Sequence, residues 1–149
     1  MTDAKTYSGG CLCGAVRFKA TPRQAKFGAC HCDMCRRWTG GPYLAVGCGG
    51  DVDFNSLDGV AVYTSSDWAE RGFCGKCGTI LFYRLKQTGH YQVSLGAFDD
   101  AGDLVFTSQI FIDEKPDQYD FANETRKLTG RQVIDAYMAE KTDGAGGHG

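Results

Sequence analysis

The sequence predicts a mainly β protein of short strands and tight turns, closed by a short C-terminal helix. Three observations predict it. Glycine supplies 21 of the 149 residues, about twice the usual share, which suits a chain broken by many turns. Aromatic and β-branched residues are plentiful, and several short runs alternate apolar and polar side chains, the period of a half-buried strand. Seven of the eight cysteines fall into tight clusters, and the two paired ones are flanked by glycine, a pattern that builds knuckles rather than helices. A chain of this length is long enough to bury a core as one unit. We assign residues 1–141 to a single domain and the Gly-rich, polar residues 142–149 to a flexible tail.

The elements follow in order. Residues 1–7 read as a loose arm, and residues 9–14 as the first knuckle. Residues 15–20 alternate, with Val16 and Phe18 against Arg17 and Lys19, and read as a strand ended by Thr21-Pro22. A second strand over 26–29 delivers Cys30 into a helical turn or two over 33–38, which Gly40-Gly41-Pro42 stops. Residues 43–46 read as a strand. Residues 52–55 and 60–64 read as two more, joined as a hairpin by Asp58-Gly59. Residues 73–78 form the second knuckle. Residues 79–83 and 91–95 flank the Thr88-Gly89 turn, and 104–112 hold a late strand. Residues 116–123 read as loop or short helix. Thr129 and Gln132 have the spacing of a capping box. They open a short amphipathic helix with Val133, Ile134, Tyr137 and Met138 on one side.

Composition narrows the function. The formal net charge is −2, whereas nucleic-acid binders usually present a basic face, so no nucleic-acid partner is expected. No apolar run reaches the length of a membrane span, and the polar N-terminus lacks the apolar core of a signal peptide. A cytoplasmic location is the resulting expectation. In a reducing compartment eight cysteines point to metal binding or redox chemistry rather than to disulfides.

The cysteine spacing carries the chemistry. Cys11 and Cys13 form a C-x-C pair, and Cys74 and Cys77 a C-x-x-C pair; together they make a closed set of four thiolates, the donor set of a structural zinc. Cys30, Cys32 and Cys35 make a set of three. Three protein ligands leave a fourth position for water or substrate, as catalytic zinc sites do. Three thiolates on Zn²⁺ form a poor Lewis acid, better suited to binding and deprotonating a thiol than to splitting water. The competing reading closes this site with His31, Cys48 or a carboxylate, although His31, between two ligands, is expected to point away. Cys48, at the end of an apolar strand, reads as a buried core thiol. His90 and His148 are not expected to be ligands. Arg36 and Arg37 follow the third thiol directly. They read equally as a grip for substrate carboxylates or as compensation for thiolate charge, and Arg71 fits either role. Trp38, Tyr43 and Phe73 read as core.

With these residues in place, the chain resembles the glutathione-dependent formaldehyde-activating family, which includes centromere protein V. The resemblance rests on Gly10-Cys11-Leu12-Cys13-Gly14-Ala15-Val16-Arg17-Phe18, on Cys30-His31-Cys32 through Cys35-Arg36-Arg37, and on Arg71-Gly72-Phe73-Cys74 through Cys77-Gly78. A weaker late match covers Ile110-Phe111-Ile112-Asp113 with Lys115 and Tyr119. Gln109 stands where many members carry histidine. The resemblance implies a β-tent fold of antiparallel sheets and two zinc ions per chain. One would be structural, on Cys11, Cys13, Cys74 and Cys77; the other would be exchangeable, on Cys30, Cys32 and Cys35. It further implies a carbon–sulfur lyase that condenses glutathione with formaldehyde to S-hydroxymethylglutathione.

Three functions therefore compete. The first is an enzyme that activates a small thiol of the glutathione class for addition to formaldehyde or another small carbonyl. The second is a non-catalytic zinc module for interaction or chaperoning. The third is redox sensing by the three thiols, which metal binding would suppress.

Overall fold

The computed structural model describes residues 4–143, with side chains as far as Ala139. In chain order the elements are β1 (Tyr7–Gly10), β2 (Arg17–Ala20), β3 (Lys26–Cys30), α1 (Asp33–Thr39), β4 (Tyr43–Gly49), β5 (Val52–Phe54) and β6 (Val60–Thr64). They continue with β7 (Ala69–Cys74), β8 (Ile80–Leu85), β9 (Tyr91–Ser94), β10 (Val105–Ile110), β11 (Arg126–Lys127) and α2 (Gly130–Asp143). Single 3₁₀ turns lie at Leu95–Ala97 and Ile112–Glu114. The strands form a three-stranded sheet, β1-β2-β5, and an eight-stranded sheet, β11-β10-β3-β4-β9-β8-β7-β6. The mainly β class with a short C-terminal helix is the architecture the sequence predicted.

The two sheets share one apolar core, to which strands of both contribute buried apolar residues. In β2 Phe18 and Ala20 are buried while Arg17 and Lys19 are exposed. Phe18 packs against Phe54 and Phe98, and Phe54 reaches Phe82 and Tyr91 in the larger sheet. Val16, Val46, Leu81 and Val93 are each at most 1% exposed in the same cluster. Gly9 is tightly enclosed: a Cβ there would lie 2.4 Å from the Ala97 carbonyl oxygen and 2.5 Å from the ring of Phe18, its partner on β2. Its bridge to Phe98 ties the small sheet to the turn that follows β9.

Several expectations are corrected. The arm over residues 1–7 already enters β1 at Tyr7, which is buried and donates to the Asp103 carboxylate at 3.0 Å. Residues 52–55 and 60–64 are not a hairpin. β5 pairs with β2 and β6 pairs with β7, so the Asp58-Gly59 turn carries the chain from one sheet to the other. Packing decides this: Phe54 is drawn onto Phe18 and the core. β7 is a strand the sequence does not announce, since Ala69-Glu70-Arg71-Gly72 has no alternating pattern; it lies between β6 and β8 with Arg71 and Gly72 both buried. The sheets are not wholly antiparallel. β10 runs parallel to β3 and to β11, since a strand's sequence pattern does not encode its direction once a long connection separates it from its neighbour. Residues 116–123, by contrast, form the loop that was one of the two expected readings, with neither strand nor α-helix.

At the C-terminus the capping box is present. Thr129 N–H donates to Gln132 Oε1 at 2.8 Å, and Gln132 N–H donates to Thr129 Oγ1 at 3.2 Å. The helix continues through Asp143, two residues beyond the expected boundary; the rest of the expected tail lies outside the described residues. Of its apolar side, Val133 and Tyr137 are half-buried, whereas Ile134 and Met138 are each 51% exposed.

Gly9 gives a direct test of this enclosure. Gly9→Ala should lower stability by about 1–3 kcal/mol, the usual penalty for overpacking. Thermal denaturation would show this as a lowered melting temperature, about 2–4 °C per kcal/mol for a chain of this size. Gly96→Ala, where an added Cβ meets nothing within 4 Å, should leave the melting temperature within about 1 °C of wild type.

Candidate metal centres

The first cluster forms where the two sheets meet. Cys11 and Cys13 leave the end of β1, and Cys74 ends β7 ahead of Cys77. All four sulfurs lie within 4.8 Å of one another, with Cys11 Sγ 3.5 Å from Cys13 Sγ and Cys13 Sγ 3.8 Å from Cys74 Sγ. Each pair ends in a glycine with a left-handed backbone, Gly14 at φ 84° and Gly78 at φ 78°, a conformation that costs glycine little. The turns aim neutral donors at sulfur. Val16 N–H donates to Cys11 Sγ at 3.2 Å, and Lys76 and Cys77 N–H both donate to Cys74 Sγ at 3.4 Å. The Thr79 hydroxyl, 3.2 Å from Cys77 Sγ, is the main cause of a Cys77 thiol lowered to about 5. Cys74 and Cys11 are buried and Cys13 is exposed.

The second cluster is local. β3 delivers Cys30, and its parallel partner β10 continues the pairing beyond the strand through His31 N–H to Ile110 O at 3.1 Å. Cys32 is the N-cap of α1, its sulfur accepting from Cys35 N–H at 3.3 Å, so the cap itself brings the second and third thiols together. Gly40 closes the helix, its N–H donating to Arg36 O at 2.8 Å. The sulfurs of Cys30, Cys32 and Cys35 lie within 4.8 Å of one another. Hydrogen bonding from Cys30, then Cys35, lowers the Cys32 thiol to about 2. Sharing with Cys32 and Cys35 pushes Cys30 far up. Three thiols this close repel one another once ionised, and a divalent ion is the natural counter-charge. Both donor sets, four and three soft thiols, fit zinc.

The remaining predicted site residues fall into distinct places. His31 is fully buried and faces away from the sulfurs. Gln109 Nε2 donates to Thr125 Oγ1 at 2.8 Å, which leaves Gln109 Oε1 to accept from His31 Nε2–H at 2.8 Å. His31 Nδ1 then accepts the Tyr119 hydroxyl at 2.9 Å. Burial lowers the His31 pKa, in keeping with the neutral ring this network requires. Cys48 is fully buried in the core, away from both clusters, and burial pushes its thiol up to about 12. Arg36 donates from Nε to the His31 carbonyl at 3.0 Å. Arg36 and Arg37, with Asp33, Gly40, Gly41, Pro116, Gln118 and Tyr119, line a cleft of about 390 Å³. Arg37 is 83% exposed and pairs with Asp33, at 3.5 Å.

Sequence reasoning left two features unread. One is the Tyr119–His31–Gln109–Thr125 chain, whose members lie far apart in sequence; the late Lys115 and Tyr119 match was the only signal of it. The other is the burial of Arg71, 5% exposed, with Nη1 3.5 Å from Cys35 Sγ and its guanidinium carbon 4.9 Å from the Trp38 ring centre and 5.0 Å from that of Tyr83. Arg71 is therefore no surface grip for carboxylates. Trp38 is half-buried against Tyr43, their ring centres 5.3 Å apart, and Phe73 is half-buried. Tyr43 is buried and donates to Gln92 O at 2.8 Å.

Comparison with known proteins places this geometry. The family model for the glutathione-dependent formaldehyde-activating enzyme matches residues 6–114. An uncharacterised lyase of Schizosaccharomyces pombe is 37% identical over 129 residues, 86% of this chain and 94% of the relative. A protein of Halomonas elongata, provisionally named as a glutathione-dependent formaldehyde-activating enzyme, is 37% identical over 84 residues; the match covers 50% of this chain and 53% of that one. A crystal structure of a Rhodobacter sphaeroides protein shares the fold with a TM-score of 0.55 at 22% identity, over 67% of this chain and 99% of that one.

The His31 network separates a structural imidazole from a ligand. His31→Ala should cost about 3 kcal/mol, from a cavity and from the unpaired Gln109 and Tyr119 groups left behind. Urea denaturation of the metal-loaded protein would read it, and the metal bound per chain should not change. Loss of one metal equivalent would make His31 a ligand.

Proposed function

We propose, on the premise that this chain belongs to the glutathione-dependent formaldehyde-activating enzyme family, that it is a zinc-dependent carbon–sulfur lyase-type enzyme. Cys11, Cys13, Cys74 and Cys77 hold a structural zinc. Cys30, Cys32 and Cys35 hold a second zinc at which a small thiol of the glutathione type is activated to add to formaldehyde or a similar small carbonyl. The observation that carries the reading is the division of seven thiols into a set of four and a set of three, each with its sulfurs within 4.8 Å of one another. Four thiolates complete a tetrahedron; three leave one position for an exogenous ligand. The family membership and the lyase name of the S. pombe relative support the same class.

Zinc held by the three thiols would supply a Lewis acid that favours the thiolate form of a bound thiol. The chain's own residues do the rest. In the addition, a carbon–sulfur bond forms, the carbonyl π pair moves to oxygen, and the thiol proton ends on that oxygen. The cleft beside α1 presents Arg36 and Arg37, with Gln118 and Tyr119, to carboxylates on the thiol substrate. Asp33, 3.5 Å from Arg37 and 4.0 Å from Arg36, fixes their spacing on one side. Tyr119 shares its hydroxyl with His31, which ties the cleft wall to the loop that carries Cys30 and Cys32.

Four measurements test this reading. A mild chelator should remove about half of the bound zinc while the circular dichroism stays native, because structural zinc sites contribute on the order of 10 kcal/mol to the folded state and the three-thiol site has one ligand fewer. Cys77→Ser should by contrast give unfolded or insoluble protein; wild-type melting and metal content in that variant would reject the structural site. Exchange NMR of formaldehyde and glutathione with S-hydroxymethylglutathione should show acceleration by micromolar protein carrying two zinc ions. No acceleration would reject this substrate pair, and Arg36→Ala with Arg37→Ala should raise KM more than it lowers kcat.

A further inference from the structure

We infer that Arg71 is a positioning residue that sets the charge of the three-thiol centre, so that its fourth position favours an anionic ligand over a neutral one. The inference rests on the reading of Cys30, Cys32 and Cys35 as an open centre. Its starting point is the difference in what the two clusters receive from the fold. The four-thiol cluster receives backbone amides, at Cys11 from Val16 and at Cys74 from Lys76 and Cys77. Neutral donors suffice for a coordination shell that is already complete. The three-thiol cluster receives one backbone amide, from Cys35 N–H to Cys32 Sγ, and one full positive charge, the Arg71 guanidinium 3.5 Å from Cys35 Sγ.

That charge is placed at some cost. Arg71 is 5% exposed, and no carboxylate pairs with it among the described residues. Its plane lies over the rings of Trp38 and Tyr83, and its Nε–H, buried, has no hydrogen-bond partner among the described residues. A buried cation is normally paired, and one neutral thiol cannot pair it. Three thiolates around a divalent ion carry one net negative charge, which the guanidinium cancels. An incoming thiolate then meets a neutral centre instead of an anionic one. A neutral ligand gains nothing from the same arrangement. Arg71 acts through Cys35 and through the local potential; the structure gives it no contact with substrate.

The test separates charge from packing. Protein loaded with Co²⁺ in place of zinc has a visible spectrum that reports the fourth ligand, and only the open centre can respond. Two ligands are titrated at pH 8: 2-mercaptoethanol, which binds as the thiolate, and neutral imidazole. Arg71→Met should weaken the thiolate by about tenfold or more, as expected for loss of a unit charge at this range, and change imidazole by less than about twofold. Arg71→Lys, which keeps the charge, should hold the thiolate-to-imidazole ratio within about threefold of wild type. Should Arg71→Met fail to fold, the Lys ratio alone decides, and a ratio that falls tenfold there overturns the inference. Equal weakening of both ligands, or no change in either, also overturns it and leaves Arg71 as packing. A wild-type protein whose spectrum answers neither ligand rejects the open centre itself, and the inference falls with it.

Discussion

Four sulfurs from two distant stretches of chain must meet within 4.8 Å, and much of the structure is arranged so that they can. Cys11 and Cys13 follow the edge strand of the small sheet, while Cys74 and Cys77 follow the second strand from one edge of the large sheet. Bringing them together fixes how one sheet lies on the other. The core between them, from Phe18 and Phe54 to Phe82 and Phe98, then has a defined shape to fill. Gly9 has no room for a side chain because the Phe18 ring on the neighbouring strand and the Ala97 carbonyl of the turn after β9 fill the space. The left-handed glycines after Cys13 and Cys77 let each pair turn back sharply enough to point both of its sulfurs the same way.

The second cluster obeys a different logic. Its three sulfurs come from six consecutive residues and need little help to meet. What the fold supplies is support from outside. β10, running parallel to β3, extends its pairing to His31. Glu114, in the turn after β10, accepts from Asp33 N–H at 2.8 Å at the start of α1. The His31 ring, between two cysteines in sequence, is fixed on the far side by Gln109 and Tyr119. A loop that must hold a metal-binding geometry is thereby made as rigid as the sheet beneath it.

Electrostatics separates the two clusters further. The hydrogen bonds to the four thiols come from neutral amides and a threonine hydroxyl, and Arg17, whose charge is felt at Cys11, is paired with Asp99. The three thiols stand beside a buried guanidinium and near an arginine-bearing cleft. A soft, anionic donor set with a cation behind it suits chemistry on a thiol better than chemistry on water. The core thiol Cys48, which burial keeps protonated, takes no part in either cluster.

The sequence by itself determined what is local. Cysteine spacing named both clusters, because a C-x-C or C-x-x-C pair can converge only within a turn or two. Alternation located β2, glycine and proline located most turns, and the Thr129–Gln132 capping box located α2, since each is set by bonds within a few residues. What depends on distant partners was decided only by the tertiary structure. β7 carries no strand pattern because Arg71 and Gly72 are buried for reasons outside the strand: one lies beside Cys35, the other under the Phe82 ring. The parallel direction of β10 and the separation of β5 from β6 follow from which surfaces the core can bury together, and no residue pattern records them. Arg71 looked in sequence like any arginine near a cysteine. Only folding places it between two aromatic rings with a sulfur at hydrogen-bond range, because the charge of a site is summed over space and not along the chain.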